Sequence, residues 1–420
     1  MTSQAAVTII ANILPGHEAE LTRLLEEAGM DAGGNPLVPF ERVPNVHFAR
    51  FFLMDAATDL RGRPLAPRLV LLADVDGPAD AFTRTLVARL GDGLHTIFQH
   101  CQAYPGRAGL LDYLQTHRVP ESATYVNTMG RTVEQVRQEA TLHAAIQRFL
   151  DDNAGRWRGA SPRRVRAAIQ ELVETEPSLA WARRPVPKPE PVYILGEKLH
   201  VALVAIAGMA LFPVILLGLP VWLAFLRYHE TRDVARDIAP DDARIQALAA
   251  QEDHGVQNPF TSAGYLKPGP FRRFTASVVL WGTNFLTRHV FNNGDLIGVK
   301  TIHFARWIFI DQKRRVIFAS NYDGSLENYM DDFIDKIAWG LNATFSNGVD
   351  YPKTNWLIFD GAHDEQVFKR FNLTHQLVAP FWYAAYQGLT ALNIANNAAI
   401  RAGLYGPMHD AATRAWLRRL

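Results

Sequence analysis

The tetrapeptide His-Phe-Ala-Arg occurs twice in the chain, as His47–Arg50 and as His303–Arg306. Each is followed by an apolar run that ends in an aspartate eight residues after the histidine, Asp55 and Asp311. A second apolar run then ends in Asp-Gly, Asp76-Gly77 and Asp323-Gly324. Imidazole, guanidinium and carboxylate are the groups of proton transfer and oxyanion stabilisation. His303 and Arg306 fall on a strand whose neighbours are apolar on both faces, and an interior arginine needs an anionic partner, which Asp311 or Asp323 would supply. The pair is then either a pocket arginine polarising a ligand or a structural ion pair present in both copies. The run Asn321-Tyr322-Asp323-Gly324 reads first as a turn with a helix cap, and otherwise as a pocket acid or base with Tyr322 beside it. Arg306, Asn321, Tyr322 and Asp323 form the candidate catalytic set. His375, near Phe381, Trp382 and Tyr383 in an expected helix over 365–383, and His303 are the candidate cofactor ligands, with His375 the candidate for iron.

Other chemistries are excluded by pattern. There is no Walker A loop, GxSxG, HExxH or CxxC. The only cysteine, Cys101, rules out an intrachain disulfide framework and a multi-thiolate cluster. A formal net charge of +1 gives no global pull towards nucleic acid. The N-terminal run lacks a positive leader and reads as a first strand rather than a secretory signal.

The elements that must position these residues are themselves duplicated. From Asp76 and Asp323 the two copies align without a gap, through Gly93-Leu94 and Gly340-Leu341 to Tyr104-Pro105 and Tyr351-Pro352. In the first copy, strands are expected over 7–13, 48–54 and 69–75, and helices over 17–29 and 79–90. The second copy reads alike, with strands over 302–310 and 316–320 and helices over 272–290 and 326–341. Residues 60–67, rich in Gly, Pro and Arg, lengthen the first copy's central hairpin. Strand, helix, strand, strand, helix and a final strand make a split βαβ, ferredoxin-like unit. Such a sheet bears helices on one face only and must bury the other. Two of them packed face to face predict an α+β barrel. The expected organisation is a first repeat with a trailing helix (1–150), a basic, proline-rich linker (151–198), a hydrophobic segment (199–228), a connecting helix (229–255) and a second repeat with C-terminal helices (256–420).

Residues 201–226 contain no charged side chain, a length that suits a membrane span. Val201, Phe212, Pro213, Pro220, Trp222 and Phe225 mark the membrane contact. One full crossing would put the repeats on opposite sides of the bilayer. Pro213, Gly218 and Pro220 therefore predict a re-entrant hairpin in a monotopic protein, with a single span as the alternative. Arginines on both flanks, from Arg156 to Arg184 and from Arg227 to Arg236, place it on the cytoplasmic face of the inner membrane. Membrane lipids, an apolar small molecule and further copies of the chain are the expected partners, and nucleic acid is not.

The two HFAR units resemble the dimeric α+β barrel superfamily, which includes the dye-decolorizing peroxidases and the chlorite dismutase-like proteins. Ser320-Asn321-Tyr322-Asp323-Gly324 is similar to the peroxidases' GxxDG motif, with serine replacing the first glycine. The resemblance implies Asp323 as the distal acid, Arg306 beside a heme and a histidine on the iron. Taken with the apolar segment, which is foreign to those families, it points to a membrane-associated, heme-dependent oxidoreductase acting on a lipid or other apolar substrate. The alternative on the same barrel is a non-catalytic lipid-binding or scaffolding protein.

Overall fold

The computed structural model describes residues 4–186, 191–234, 242–250 and 255–420. Pro187, Lys188 and Pro189 of the linker, Arg236 and parts of the connecting segment lie outside them. The chain is α+β with antiparallel sheets. Its first half supplies β1 (Gln4–Asn12), α1 (Glu18–Gly29), β2 (Val46–Met54), β3 (Arg68–Asp76), α2 (Ala79–Phe98), β4 (Ala123–Val126) and α3 (Val133–Asp152). A long helix, α4 (Pro191–Arg232), follows. The second half supplies β5 (Gln257–Tyr265), α5 (Pro270–His289), β6 (Ile302–Ile310), β7 (Arg315–Asp323), α6 (Leu326–Phe345), α7 (Glu365–His375), β8 (Phe381–Ala384) and α8 (Ala391–Ala402).

The strands form two open four-stranded sheets, ordered β1-β3-β2-β8 and β4-β6-β7-β5. Each half thus sends its last strand into the other half's sheet, beside the HFAR strand. A ferredoxin-like unit would return that strand to the edge beside its own first strand. Among the described residues no strand of one sheet pairs with a strand of the other, so the expected closed barrel is not formed. The two exchanges share one register: Trp382 opposes Arg50 as Thr124 opposes Arg306, and Ala384 opposes Phe48 as Val126 opposes Phe304. The helix expected over 365–383 ends at His375, and Phe381–Ala384 is strand, where sheet pairing overrides the helical continuation.

Alternation along the strands divides the core. Phe52, Met54, Val70 and Leu72 of one sheet meet Ile308, Ile310, Ile317 and Ala319 of the other in one buried cluster. Ala49 and Phe51 turn to the first half's helices, and Ala305 and Trp307 to the second half's. The inserted loop of the first half is a short hairpin, Ala57–Thr58 with Pro64–Leu65.

The hairpin expected at Pro213, Gly218 and Pro220 does not form. Helix α4 runs through both prolines and is long and apolar enough to cross a membrane. From Val201 to Val221 every residue except Val204 is exposed. Both ends of α4 are tied to the second half. Glu197 pairs with Arg288 (2.5 Å) and His289 (3.2 Å), while Asp233, just past the helix, pairs with Lys267 (2.7 Å) and Arg272 (2.6 Å). Buried Glu230 accepts from the backbone N–H groups of Trp356 (2.9 Å) and Leu357 (2.7 Å). Two basic residues, Arg166 from the upstream flank and Arg272 at the start of α5, are occupied within the fold. Arg272 is buried in its ion pair, and Arg166 donates to the carbonyls of Gly403 and Gly406 (both 2.9 Å).

Candidate functional site

The arginines of the two HFAR strands cross between the sheets. Arg50 donates to the carbonyls of Phe260 (2.7 Å) and Ser320 (2.7 Å), to Thr261 Oγ1 (2.8 Å) and to Asn321 Oδ1. Arg306 donates to the carbonyls of Val7 (2.9 Å) and Ala73 (2.9 Å), to Thr8 Oγ1 (3.4 Å) and to Asp74. The eight acceptors are four equivalent pairs, so each half grips the other with one guanidinium. The symmetry breaks at a single pair, Asp74 against Asn321, and Asn321 itself donates to Asp74 Oδ2 (3.1 Å). Two buried guanidiniums therefore share Asp74 and, more distantly, Glu121 (3.8 Å from Arg306). Burial pushes the Arg50 pKa down to about 9, against the pull of Asp74, and the nearby Arg306 lowers it further. The group stays charged at neutral pH.

The histidines sit at matching irregularities. Pairing of β2 with β3 skips between Val46 and Phe48, and pairing of β6 with β7 skips between Ile302 and Phe304, so each histidine occupies a β-bulge. A bulge re-aims the side chain it carries. His47 Nε2 thereby reaches Asp76 Oδ1 (3.0 Å), and His303 Nε2 reaches Asp323 Oδ1 (2.6 Å). The second oxygen of each aspartate accepts the first backbone N–H of a helix, Val133 of α3 (2.8 Å) and Ala391 of α8 (2.7 Å). Gly77 and Gly324, at φ of +87° and +81°, make the turn that follows. Asp323 is thus a helix cap and a histidine partner together. Asp323→Ala is expected to cost about 1–3 kcal/mol through the two orphaned groups. Chemical denaturation in detergent checks this, and a loss below about 0.5 kcal/mol, the scale of a neutral surface change, contradicts it.

Arg306, Asn321 and Asp323 are all buried at the junction of the halves, and Asn321 also accepts from Trp382 Nε1 (3.1 Å). Tyr322 points away from them and stacks on Tyr329 with ring centroids 4.1 Å apart. His375 lies elsewhere, with Nδ1 bound to the Phe371 carbonyl (2.9 Å) and its pKa lowered by burial. His303 and His375 line different cavities of about 30 Å³ each. A cofactor pocket is typically ~300–1,000 Å³. Neither histidine has room for a heme beside it, so these residues do not fit that group.

Two larger spaces remain. An apolar cavity of about 130 Å³ lies between the second sheet and helices α5, α6 and α7, walled by Phe260, Trp307, Phe318, Phe333 and Phe368. Leu286 and Trp339, 42% and 47% exposed, stand both in its wall and on the surface. A more polar cleft of about 850 Å³ includes Met30, Gln257, Thr261 and Trp382, and the last two are partners of Arg50 and Asn321.

Helices α1 and α5 are equivalent elements with opposite surfaces. Exposed positions of α1 include Glu20, Arg23, Glu26 and Glu27, whereas those of α5 include Phe274, Val278, Trp281 and Leu286. The apolar face of α5 adjoins α4, through Trp222 Nε1 to Thr275 Oγ1 (3.2 Å) at one end and His200 to His289 (2.9 Å) at the other.

No family model, curated protein or solved structure matches the chain. Sequence reading passed over Asp74, Thr261 and Tyr386, whose hydroxyl holds His47 Nδ1 (2.9 Å). A usable signal existed. Tyr125, Gly130 and Thr132 recur at the same spacing as Tyr383, Gly388 and Thr390, which carries the duplication through the exchanged strand and the following helix cap.

Proposed function

We propose that the protein is a membrane-bound binder of an apolar, lipid-derived molecule, whose chain end or ring enters the cavity under α5 and α6. The observation that carries this is the cavity's position: its mouth residues Leu286 and Trp339 are continuous with an apolar surface that the equivalent helix of the first half lacks. A surface of that kind requires lipid or another apolar partner. At about 130 Å³ the cavity is close to the ~150 Å³ apolar hole that takes up benzene, so it suits the end of an acyl or isoprenoid chain rather than a whole lipid. Ala343→Phe, which fills the cavity from its wall, is expected to lower co-purified lipid at least tenfold, read by mass spectrometry of detergent-extracted protein. Equal lipid in both proteins removes the proposal.

The halves are read as ferredoxin-like units with exchanged fourth strands, a variant of the dimeric α+β barrel arrangement. The ion pairs of Glu197 and Asp233, near the two ends of α4, with Arg288 and Arg272 of α5 support a monotopic placement with both halves on one side of the bilayer. A second reading, a metal-independent enzyme, is favoured by one observation: Thr261 and Trp382 join the wide cleft to Arg50 and Asn321. There the guanidinium would polarise a small polar substrate through these groups. In that case Trp382→Phe changes ligand binding in the cleft without changing lipid content.

A further inference from the structure

We propose that His17, Glu20 and His100 form a site for a divalent transition metal, with zinc the best match to its ligands. The Nδ1 atoms of His17 and His100 face each other at 2.9 Å, and Glu20 Oε2 lies 3.8 Å from His100 Nδ1. One ligand atom from each of the three falls within 4.8 Å of the others. Two imidazoles and one carboxylate are the ligand set of an open zinc site, which leaves a coordination position to solvent.

The backbone holds these groups in place before any ion arrives. The segment before α1 and the segment after α2 are laced together by Leu14 N–H to the His100 carbonyl (2.8 Å), Gln102 N–H to the Asn12 carbonyl (2.8 Å) and the bridge between Ile13 and Cys101. Gly16, at φ +87°, turns the chain so that His17 stands at the start of α1. His17 occupies the cap position there, yet its side chain caps nothing and goes to His100 instead. His100 is buried, while the Glu20 side chain is 60% exposed, so the site has a solid base and an open side. Two apposed ring nitrogens share one proton at most, and a cation in its place satisfies both lone pairs.

The second half argues that this is a feature and not a by-product of the fold. In the second half Asn347 takes the place of His100, and Pro270 and Arg273 take those of His17 and Glu20, while the neighbouring Lys267 and Arg272 are closed over by Asp233. That half uses the position to lock the end of α4, and the first half has no such lock to make.

The test is zinc binding to the untagged, detergent-solubilised full chain, by calorimetry and by thermal melting. One equivalent should bind and raise the melting temperature. His17→Ala and Glu20→Gln should each weaken binding at least about tenfold, the lower range seen when even an outer partner of a metal ligand is lost. His289→Ala, at the other imidazole pair, should leave it unchanged. Cobalt in place of zinc should give the visible absorption bands of a four-coordinate site in the wild type and not in His17→Ala. Since His17 and Glu20 lie at the surface edge of the site, their variants should fold, which far-UV circular dichroism reads directly. Equal zinc affinity in wild type, His17→Ala and Glu20→Gln overturns the site, as does loss of binding in His289→Ala alone.

Discussion

Asp74→Asn is expected to cost about 3–5 kcal/mol of stability, the largest single-residue effect in the interface between the two halves. Asp74 is 6% exposed and pairs with Arg306, while its other oxygen accepts from Asn321. Removing its charge leaves two guanidiniums between the sheets with Glu121 the one carboxylate near them among the described residues, and burial already pushes the pKa of that carboxyl upward, against the pull of Arg306. The position of the acid should matter less than its presence. Asn321 is the equivalent residue in the other half and already touches Arg50. The exchange Asp74→Asn with Asn321→Asp moves the acid across the pseudo-two-fold relation and is expected to restore at least half of the loss. Denaturation of the wild type and the two variants in the same detergent decides the matter. A single-variant loss below about 1 kcal/mol would mean that neutral carbonyl, hydroxyl and amide acceptors suffice to hold the arginines.

That interface also explains which parts of the molecule could be read from the sequence. The duplication, the HFAR strands and the division of Ala305 and Trp307 from Phe304 and Ile308 follow from local periodicity, which a single chain displays openly. The strand exchange does not, because Ala123–Val126 and Phe381–Ala384 are short and their pairing partners lie in the other half. Local pattern near His375 favoured a continuing helix, and a long-range hydrogen-bonding demand overrode it. The arginines were legible as needing partners, but Asp311 and Asp323 were the wrong acids. Asp311 pairs instead with Arg68 and Arg315, and Asp323 with His303. The correct acid, Asp74, belongs to the other sheet, so only the packing of one sheet on the other identifies it. The bulges at His47 and His303 were hidden for the same reason, since a bulge is a property of a pair of strands and not of one.

The apolar helix gives the second large effect. Arginine at both Leu211 and Leu216 is expected to move the protein from the membrane to the soluble fraction. Both residues are more than half exposed, so neither substitution disturbs packing within the chain. Each arginine at the centre of a bilayer-spanning helix costs about 2.5–3.5 kcal/mol, which is the upper bound for a helix held along one side of the membrane. At half of that bound the pair still weakens partitioning by more than about tenfold. Met30→Arg, at a more exposed apolar position just past α1 in the first half, should leave the partitioning unchanged if α4 carries the membrane contact. The same helix carries the test of sidedness. Leu195 and Arg232 flank its apolar stretch, and the native Cys101 is buried with its thiol pushed up to about 12 by desolvation, so it stays silent to maleimides. Cysteines introduced at 195 and 232 should both react with an impermeant maleimide added to one side of sealed vesicles. Labelling of one and protection of the other would show that α4 crosses the bilayer. The contacts of Glu197 and His200 with the end of α5 would then have to open on insertion, and the two sheets could no longer share their arginines across one interface.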